Sequence, residues 1–300
     1  MDIDIARLLE SAELISEKNS AALYRVTTAG RSMVLKVFSG EDRASEVRAY
    51  DLLASCGVPT LPTYGIAPNA ILIEDLAASP DWRLARESDV TKAEVGVAVA
   101  EWYRGLHSAG DRLASQAGLP GFLNREYDAL SPETIAKTCR RLGTGEAPVW
   151  RLATEHVDAL KRAVRSFPET LTYNDFHWTN LALSRNEPLR AIVFDYHLLG
   201  IGPAYCDIRN VTGSLGPAAR EAFLQAYGPW DDTIAVIDRP LSALYSLSVA
   251  AGLPRLPGWA KPCMAGVTNG GLESSLAKAV SWLRDRRATI SPNRFGEAGS

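Results

Sequence analysis

Spacing of apolar positions over residues 3–14 of MDIDIARLLESAEL predicts an opening helix. The stretch LYRVTTAGRSMVLKVF then alternates polar with apolar or β-branched residues on either side of Ala29-Gly30, which predicts a β-hairpin. In EDRASEVRAYDLLASCG, Val47, Tyr50, Leu53 and Ala54 recur at helical spacing, and Gly57 with Pro59 supplies the stop. Pro62 and Gly65 mark a turn before the apolar run AILIEDLA, which reads as a buried strand ending in acids. The first part of the chain thus predicts a small mixed sheet with one helix.

After Pro80 the pattern changes to long amphipathic helices, such as TKAEVGVAVAEWYRGLHSAG, broken by Gly and Pro clusters near 118–121 and 143–148. One β-like island interrupts them, LTYNDFHWTNLALSRNEPLRAIVFDYHLLG, with short strands over 181–183 and 191–194 flanking the turn SRNEP. The class is α+β, a β-rich first part and a larger, mainly helical second part, divided as 1–76 and 77–300. The last segment, NRFGEAGS, reads as a loose tail.

The island carries the chemistry. Asp175 and Asn180 have the D-x-x-x-x-N spacing of a kinase catalytic loop, and Asp195 ends the strand-like run IVFD fifteen residues after Asn180. Phosphoryl transfer needs an acceptor to orient and deprotonate the attacking hydroxyl, and oxygen ligands for magnesium on the triphosphate. Asp175 suits the first task, as catalytic base; Asn180 and Asp195 suit the second, as metal ligands. Singly, each also has an ordinary reading as a turn, cap or strand-end residue.

Upstream, Lys36 lies inside VLKVF, where an ammonium in an apolar strand needs a partner. A phosphate clamp is one, and Glu46 on the following helix fits the carboxylate that directs such a lysine. Glu41, Asp42 and Glu87 are the competing acids.

Strand lysine Lys36, helix glutamate Glu46, ILIEDL, LHS around His107, NDFHWTN and the FD of Asp195 stand in one order along most of the chain. In that order the chain resembles the aminoglycoside phosphotransferase and choline kinase superfamily. The resemblance implies a bilobal protein-kinase-like fold, with residues 1–76 as the nucleotide-binding lobe and 77–300 holding the catalytic loop and substrate site. It further implies ATP and Mg²⁺, with adenine received by the main chain of Glu74 and Leu76 and Ile73 lining the back of the pocket. Asp207 in GPAYCDIRN resembles the family's second acidic position, which supports the catalytic loop.

Three departures stand out. The loop begins Tyr173-Asn174-Asp175 where the family often has His-Gly-Asp or His-Asn-Asp, so the Tyr173 hydroxyl is expected to find a buried acceptor. Tyr196-His197 follows Asp195 in place of Phe-Gly, so no activation-loop switch is implied. The phosphate-covering segment ISEKNSAALYRV has no glycine; Ser16, Asn19 and Ser20 are its candidate donors.

Composition narrows the alternatives. A net charge of −3 disfavours nucleic acid as a partner. The acidic N-terminus and the lack of a run of roughly 20 apolar residues disfavour a secretory leader or membrane span. Four widely spaced cysteines suggest reduced thiols in a cytoplasmic protein. The four histidines have no metal-ligand spacing, and His107 and His177 are expected as packed, hydrogen-bonded residues. The reading is a kinase acting on a hydroxyl of a small metabolite or antibiotic. The alternative is a nucleotide-binding pseudokinase serving as a binding or regulatory module. Without Asp-Phe-Gly and Ala-Pro-Glu elements, a protein kinase is not indicated.

Overall fold

The computed structural model describes residues 4–18, 21–28, 30–39, 44–116 and 118–290. Its elements begin with α1 (Ile5–Leu9), β1 (Glu13–Lys18), β2 (Ala21–Thr28), β3 (Arg31–Phe38), α2 (Ala44–Ser55), β4 (Thr63–Ala67) and β5 (Ala70–Glu74). There follow β6 (Trp82–Leu84), α3 (Ala93–Gln116), α4 (Pro132–Leu142), α5 (Val149–Val164), β7 (Thr170–Thr172), β8 (Leu181–Ser184), β9 (Ala191–Val193) and β10 (Gly200–Gly202). The chain then runs through α6 (Tyr205–Ser214), α7 (Pro217–Tyr227), α8 (Ala235–Ala251), α9 (Lys261–Thr268) and α10 (Gly271–Ile290). The class is α+β: a β-sheet N-terminal region and a mainly helical remainder. Two compact units form, Met1–Asn124 with Glu169–Trp230 and Arg125–Pro168 with Asp231–Ser300.

In the first unit, β1-β2-β3-β5-β4 form one five-stranded sheet. Every neighbouring pair is antiparallel, so the expected mixed sheet is not mixed. Side chains alternate across it with period two. Val26, Met33, Leu35, Ala70 and Leu72 form one buried cluster, over which Ile5 and Leu8 of α1 pack. Phe38, Ile71 and Ile73 face the other way into the main core, where they join Val47, Tyr50 and Leu53 of α2. That alternation turns Lys36 toward α2.

Two further expectations fail in this sheet. The opening helix stops at Leu9, and Glu13–Lys18 pairs with β2 instead; Leu14, which a continued helix would bury, is 53% exposed. Ladder hydrogen bonds to β2 outweigh the weak propensity of a short helix. Gly65 marks no turn but sits within β4, at a register shift between Thr63 and Gly65 where a bulge suits glycine.

The rest of this unit holds a three-stranded sheet, β6-β8-β9, and the pair β10-β7. β6 replaces the helix expected after Pro80, because Trp82 and Leu84 pair with Ser184 and Ala182 of β8. Long α3 buries Val95, Val99, Trp102, Tyr103 and Leu106. Gly96 lets α7 approach closely: a Cβ there would lie 2.0 Å from the Ala219 carbonyl oxygen. In the second unit, Ser131 caps α4 by accepting the Thr134 N–H, Pro132 opens the helix, and Gly143 at φ 66° closes it. Among the described residues, no helix is long and apolar enough to cross a membrane.

Candidate functional site

Lys36 projects from β3 onto Glu46, in the first turn of α2. Its Nζ lies 2.8 Å from both Oε1 and Oε2 of Glu46, and 2.8 Å from Oδ1 of Asp195. The Lys36 and Glu46 side chains are only 9% and 1% exposed, so each charge depends on the other for compensation. Burial pushes the Glu46 carboxyl up, and the Lys36 ammonium opposes that. At Asp195 the balance reverses: burial would raise the carboxyl, but a hydrogen bond from His197 and the charge of Lys36 hold it well below the usual carboxylate range. His197 Nδ1 lies 3.0 Å from the same Oδ1. Of the competing acids, Glu87 is exposed in a separate 3₁₀ turn, Glu87–Thr91, and Glu41 and Asp42 lie outside the described residues.

Asp175 follows β7 in a loop that closes through the 3₁₀ turn Trp178–Asn180. Asn180 Nδ2 donates to Asp175 Oδ2 at 2.9 Å and to its carbonyl at 3.3 Å. Burial raises the Asp175 carboxyl; His197 works against this, the negative Asp195 adds to it, and the Asn180 hydrogen bond reduces it. The net direction is upward.

The loop is held from behind. Asp207, fully buried in the first turn of α6, accepts the N–H groups of Tyr173 and Asn174, each at 2.8 Å. Its Oδ2 also lies 3.1 Å from His107 Nε2, while His107 Nδ1 meets the Tyr227 hydroxyl at 2.7 Å. Asp207 thus supports the loop backbone, and His107 is a packed residue. The Tyr173 hydroxyl finds its buried acceptor in the Phe194 carbonyl, 2.5 Å away. Among the described residues, Asn174 and Asp195 are the non-glycine residues at positive φ, 66° and 68°. Asn174 is suited to this region because its side-chain amide bonds locally, to Thr172 Oγ1 at 2.9 Å. His177 is not packed: it is exposed and caps the 3₁₀ turn by accepting the Thr179 N–H at 3.3 Å.

A cavity of about 350 Å³ lies against this group, walled by Leu23, Val34, Lys36, Ile73, Phe194 and Asp195. Glu74 and Leu76 also line it. The Glu74 carboxylate turns to the opposite face of the sheet, toward Arg31 at 2.9 Å and Tyr64, so only the main chain of Glu74 remains for the cavity. Ser16 lies in β1, and Asn19 and Ser20 lie outside the described residues. Three residues of the site were not foreseen. His197 carries no spacing signal, and Arg25 and Asp75, which meet at 3.0 Å, are fifty positions apart. The one available hint was an arginine among the inward positions of a β-hairpin.

The model of the phosphotransferase enzyme family matches residues 11–238. Among solved structures, a choline/ethanolamine kinase family protein from Mesorhizobium loti is similar over 89% of this chain and 92% of its own, at 17% identity and TM-score 0.60. A spectinomycin phosphotransferase in complex with ADP and spectinomycin aligns over 90% and 92%, at 14% identity and TM-score 0.58. A choline kinase from Streptococcus pneumoniae aligns over 92% and 97%, at 12% identity and TM-score 0.58. These likenesses show a shared kinase-like fold. No curated protein sequence matches the chain.

Proposed function

Because this chain belongs to the phosphotransferase enzyme family, we propose that it is an ATP-dependent small-molecule kinase that transfers the γ-phosphoryl group to a hydroxyl of a metabolite or antibiotic. The observation that carries this reading is the union of Lys36, Glu46 and Asp195 at the wall of one cavity. An acceptor loop built on Asp175 and Asn180 belongs to the same compact unit. Residues 1–76 bind the nucleotide, and the catalytic loop and acceptor site belong to 77–300, in a protein of the cytoplasm.

Each residue has a task in this scheme. Lys36, held by Glu46, is directed at the α and β phosphates. Ile73 lines the back of the base pocket, and the main chain of Glu74 and Leu76 receives the adenine. Asn19 and Ser20 complete the phosphate cover. The donor set fits magnesium: Asn180 turns its NH₂ to Asp175, which leaves its amide oxygen, and Asp195 has Lys36 and His197 on Oδ1, which leaves Oδ2. Magnesium bound there would neutralise charge on the triphosphate. Asp175 takes the proton of the acceptor hydroxyl as its oxygen bonds to the γ-phosphorus; the bond from that phosphorus to the bridging oxygen breaks, and ADP leaves.

Thermal unfolding with Mg-ATP tests the reading. Ligand at about 100 times its Kd stabilises by roughly 2.7 kcal/mol, and Asp195→Ala is expected to abolish most of the shift. An ATP-consumption screen then runs over choline, ethanolamine, spectinomycin, macrolides and further hydroxylated metabolites. Asp175→Asn is expected to keep the thermal shift and lose turnover. Absence of a shift in the wild type refutes nucleotide binding; a shift with no turnover on any acceptor assigns the binding-module role.

A further inference from the structure

The inward face of β2 and β3 presents Leu23, Val34 and Lys36 to the cavity, together with Arg25, which stands across from Val34, one inward-facing pair along from Leu23 and Lys36. An arginine beside Leu23 and Val34 calls for an anchor, and Asp75 supplies it. This carboxylate, directly after β5 and 4% exposed, accepts three hydrogen bonds: from Arg25 Nε at 3.0 Å, from Ser32 Oγ at 2.6 Å and from the Ala77 N–H at 3.0 Å. Arg25 Nη1 adds a contact at 3.2 Å to Glu13, its cross-strand partner on β1, whose side chain is 71% exposed.

Two consequences follow from this geometry. Nε is the innermost nitrogen of the guanidinium, so pinning it to a buried carboxylate fixes the orientation of the planar group. Arg25 also lines the cavity, as do Leu76 and Ala77. A planar cation beside Leu23 and Val34 matches a flat aromatic ring better than a phosphate, and the phosphate-directed cation in the scheme above is Lys36, one inward-facing pair further along the hairpin.

We propose that Arg25, oriented by Asp75, is a nucleobase-binding residue: its guanidinium lies against the base of the nucleotide and contributes to base affinity, with no part in phosphate binding. The inference rests on the nucleotide-binding reading above. A substituent such as methionine keeps the bulk of the stem and removes the charged plane. A cation–π contact of about 1–2 kcal/mol corresponds to a loss of roughly 5- to 30-fold in affinity.

Calorimetric titration of the full chain with three probes tests it: Mg-ATP, adenosine, and magnesium tripolyphosphate, which has no base. Arg25→Met is expected to weaken Mg-ATP and adenosine by the same factor and to leave tripolyphosphate within about two-fold. Arg25→Lys, which keeps the charge without the planar fork, is expected to fall between, and Asp75→Asn to weaken adenosine in the wild type but not in Arg25→Met. Glu13→Gln is the control, with little change. Unchanged adenosine binding in Arg25→Met, wild-type affinity in Arg25→Lys, or a parallel loss of tripolyphosphate overturns the assignment. A wild type that binds none of the three overturns the nucleotide reading and the inference with it.

Discussion

Replacing Lys36 by methionine keeps the length of the stem and removes the ammonium that lies on Glu46. Glu46 sits at 1% exposure with both carboxylate oxygens 2.8 Å from the lysine nitrogen. Breaking a buried ion pair from one side costs about 3–5 kcal/mol, because the remaining charge is left uncompensated. Asp195 adds less to the cost, since it is 31% exposed and keeps His197 at 3.0 Å. At roughly 2–4 °C per kcal/mol, Lys36→Met should unfold about 6–20 °C below the wild type at pH 8.

The pH dependence of that deficit distinguishes an unpaired carboxylate from simple loss of packing. Burial raises the Glu46 carboxyl from its ordinary 4.5, and in the variant no ammonium opposes it. The folded variant then holds a proton that the unfolded chain releases. Stability contributed by that proton is fully present below the unfolded pKa and is lost as pH rises through the folded one, at up to about 1.4 kcal/mol per pH unit. The deficit against wild type should therefore shrink from pH 8 toward pH 5. Adding Glu46→Gln should recover at least half of the deficit and flatten its pH dependence. Urea and thermal unfolding across that pH range are the assay. A deficit below about 1 kcal/mol at pH 8, or one that grows toward pH 5, refutes the reasoning.

Three further outcomes are expected. Because the Asp175 carboxyl is raised above its ordinary 3.8, the kcat/KM for an identified acceptor should fall on acidification with a midpoint above that value; a midpoint at or below it removes Asp175 as the base. In Asp207→Asn the amide presents a single acceptor oxygen, so one of the Tyr173 and Asn174 N–H groups loses its partner; a loss of about 1–3 kcal/mol and a fall in kcat larger than the change in Mg-ATP affinity should follow, and an unchanged kcat would show that the loop is fixed by other means. Gly96→Ala places a Cβ against the Ala219 carbonyl and should cost about 1–3 kcal/mol in unfolding experiments, whereas an unaffected melting temperature would contradict the close approach of α3 and α7.

Legibility of the fold followed burial. β2, β3 and β5 are half or fully buried, so their alternation or apolar run is written into the residues, and the same alternation put Lys36 on the side of Glu46. β1 leaves five of its six residues exposed, so ELISEK has no hydrophobic signature, and its strand state comes from pairing with β2. β6 has three residues, too few for a period to register, and is likewise defined by its partner β8. Where a strand is made by its neighbour, the local pattern is silent.

In the site the division falls differently. Asp175, Asn180 and Asp195 stand out in the sequence by residue type and short spacing, and the structure places Asn180 on Asp175 and Asp195 on Lys36. The left-handed backbone of Asn174 and Asp195 was not legible, since neither is glycine. The same holds for the exchange of a loop histidine for Tyr173. Here the Tyr173 hydroxyl reaches the Phe194 carbonyl, one residue before Asp195. Asp207 holds the same stretch through two backbone N–H groups, which are indifferent to the side chain at 173. In tying the Asp175 loop to the Asp195 turn, the Tyr173 hydroxyl thus joins the Asn174 amide, which donates to the Leu198 carbonyl at 3.2 Å, and the Phe194 N–H, which donates to the Asn180 carbonyl at 3.0 Å. Asp207 of α6 meanwhile holds the loop through its backbone. This is why the loop can change its first residue and still present an aspartate in the same place: the hydroxyl contact that depends on residue 173 links the two acidic segments, and the Asp207 contacts that hold the loop backbone do not depend on that side chain.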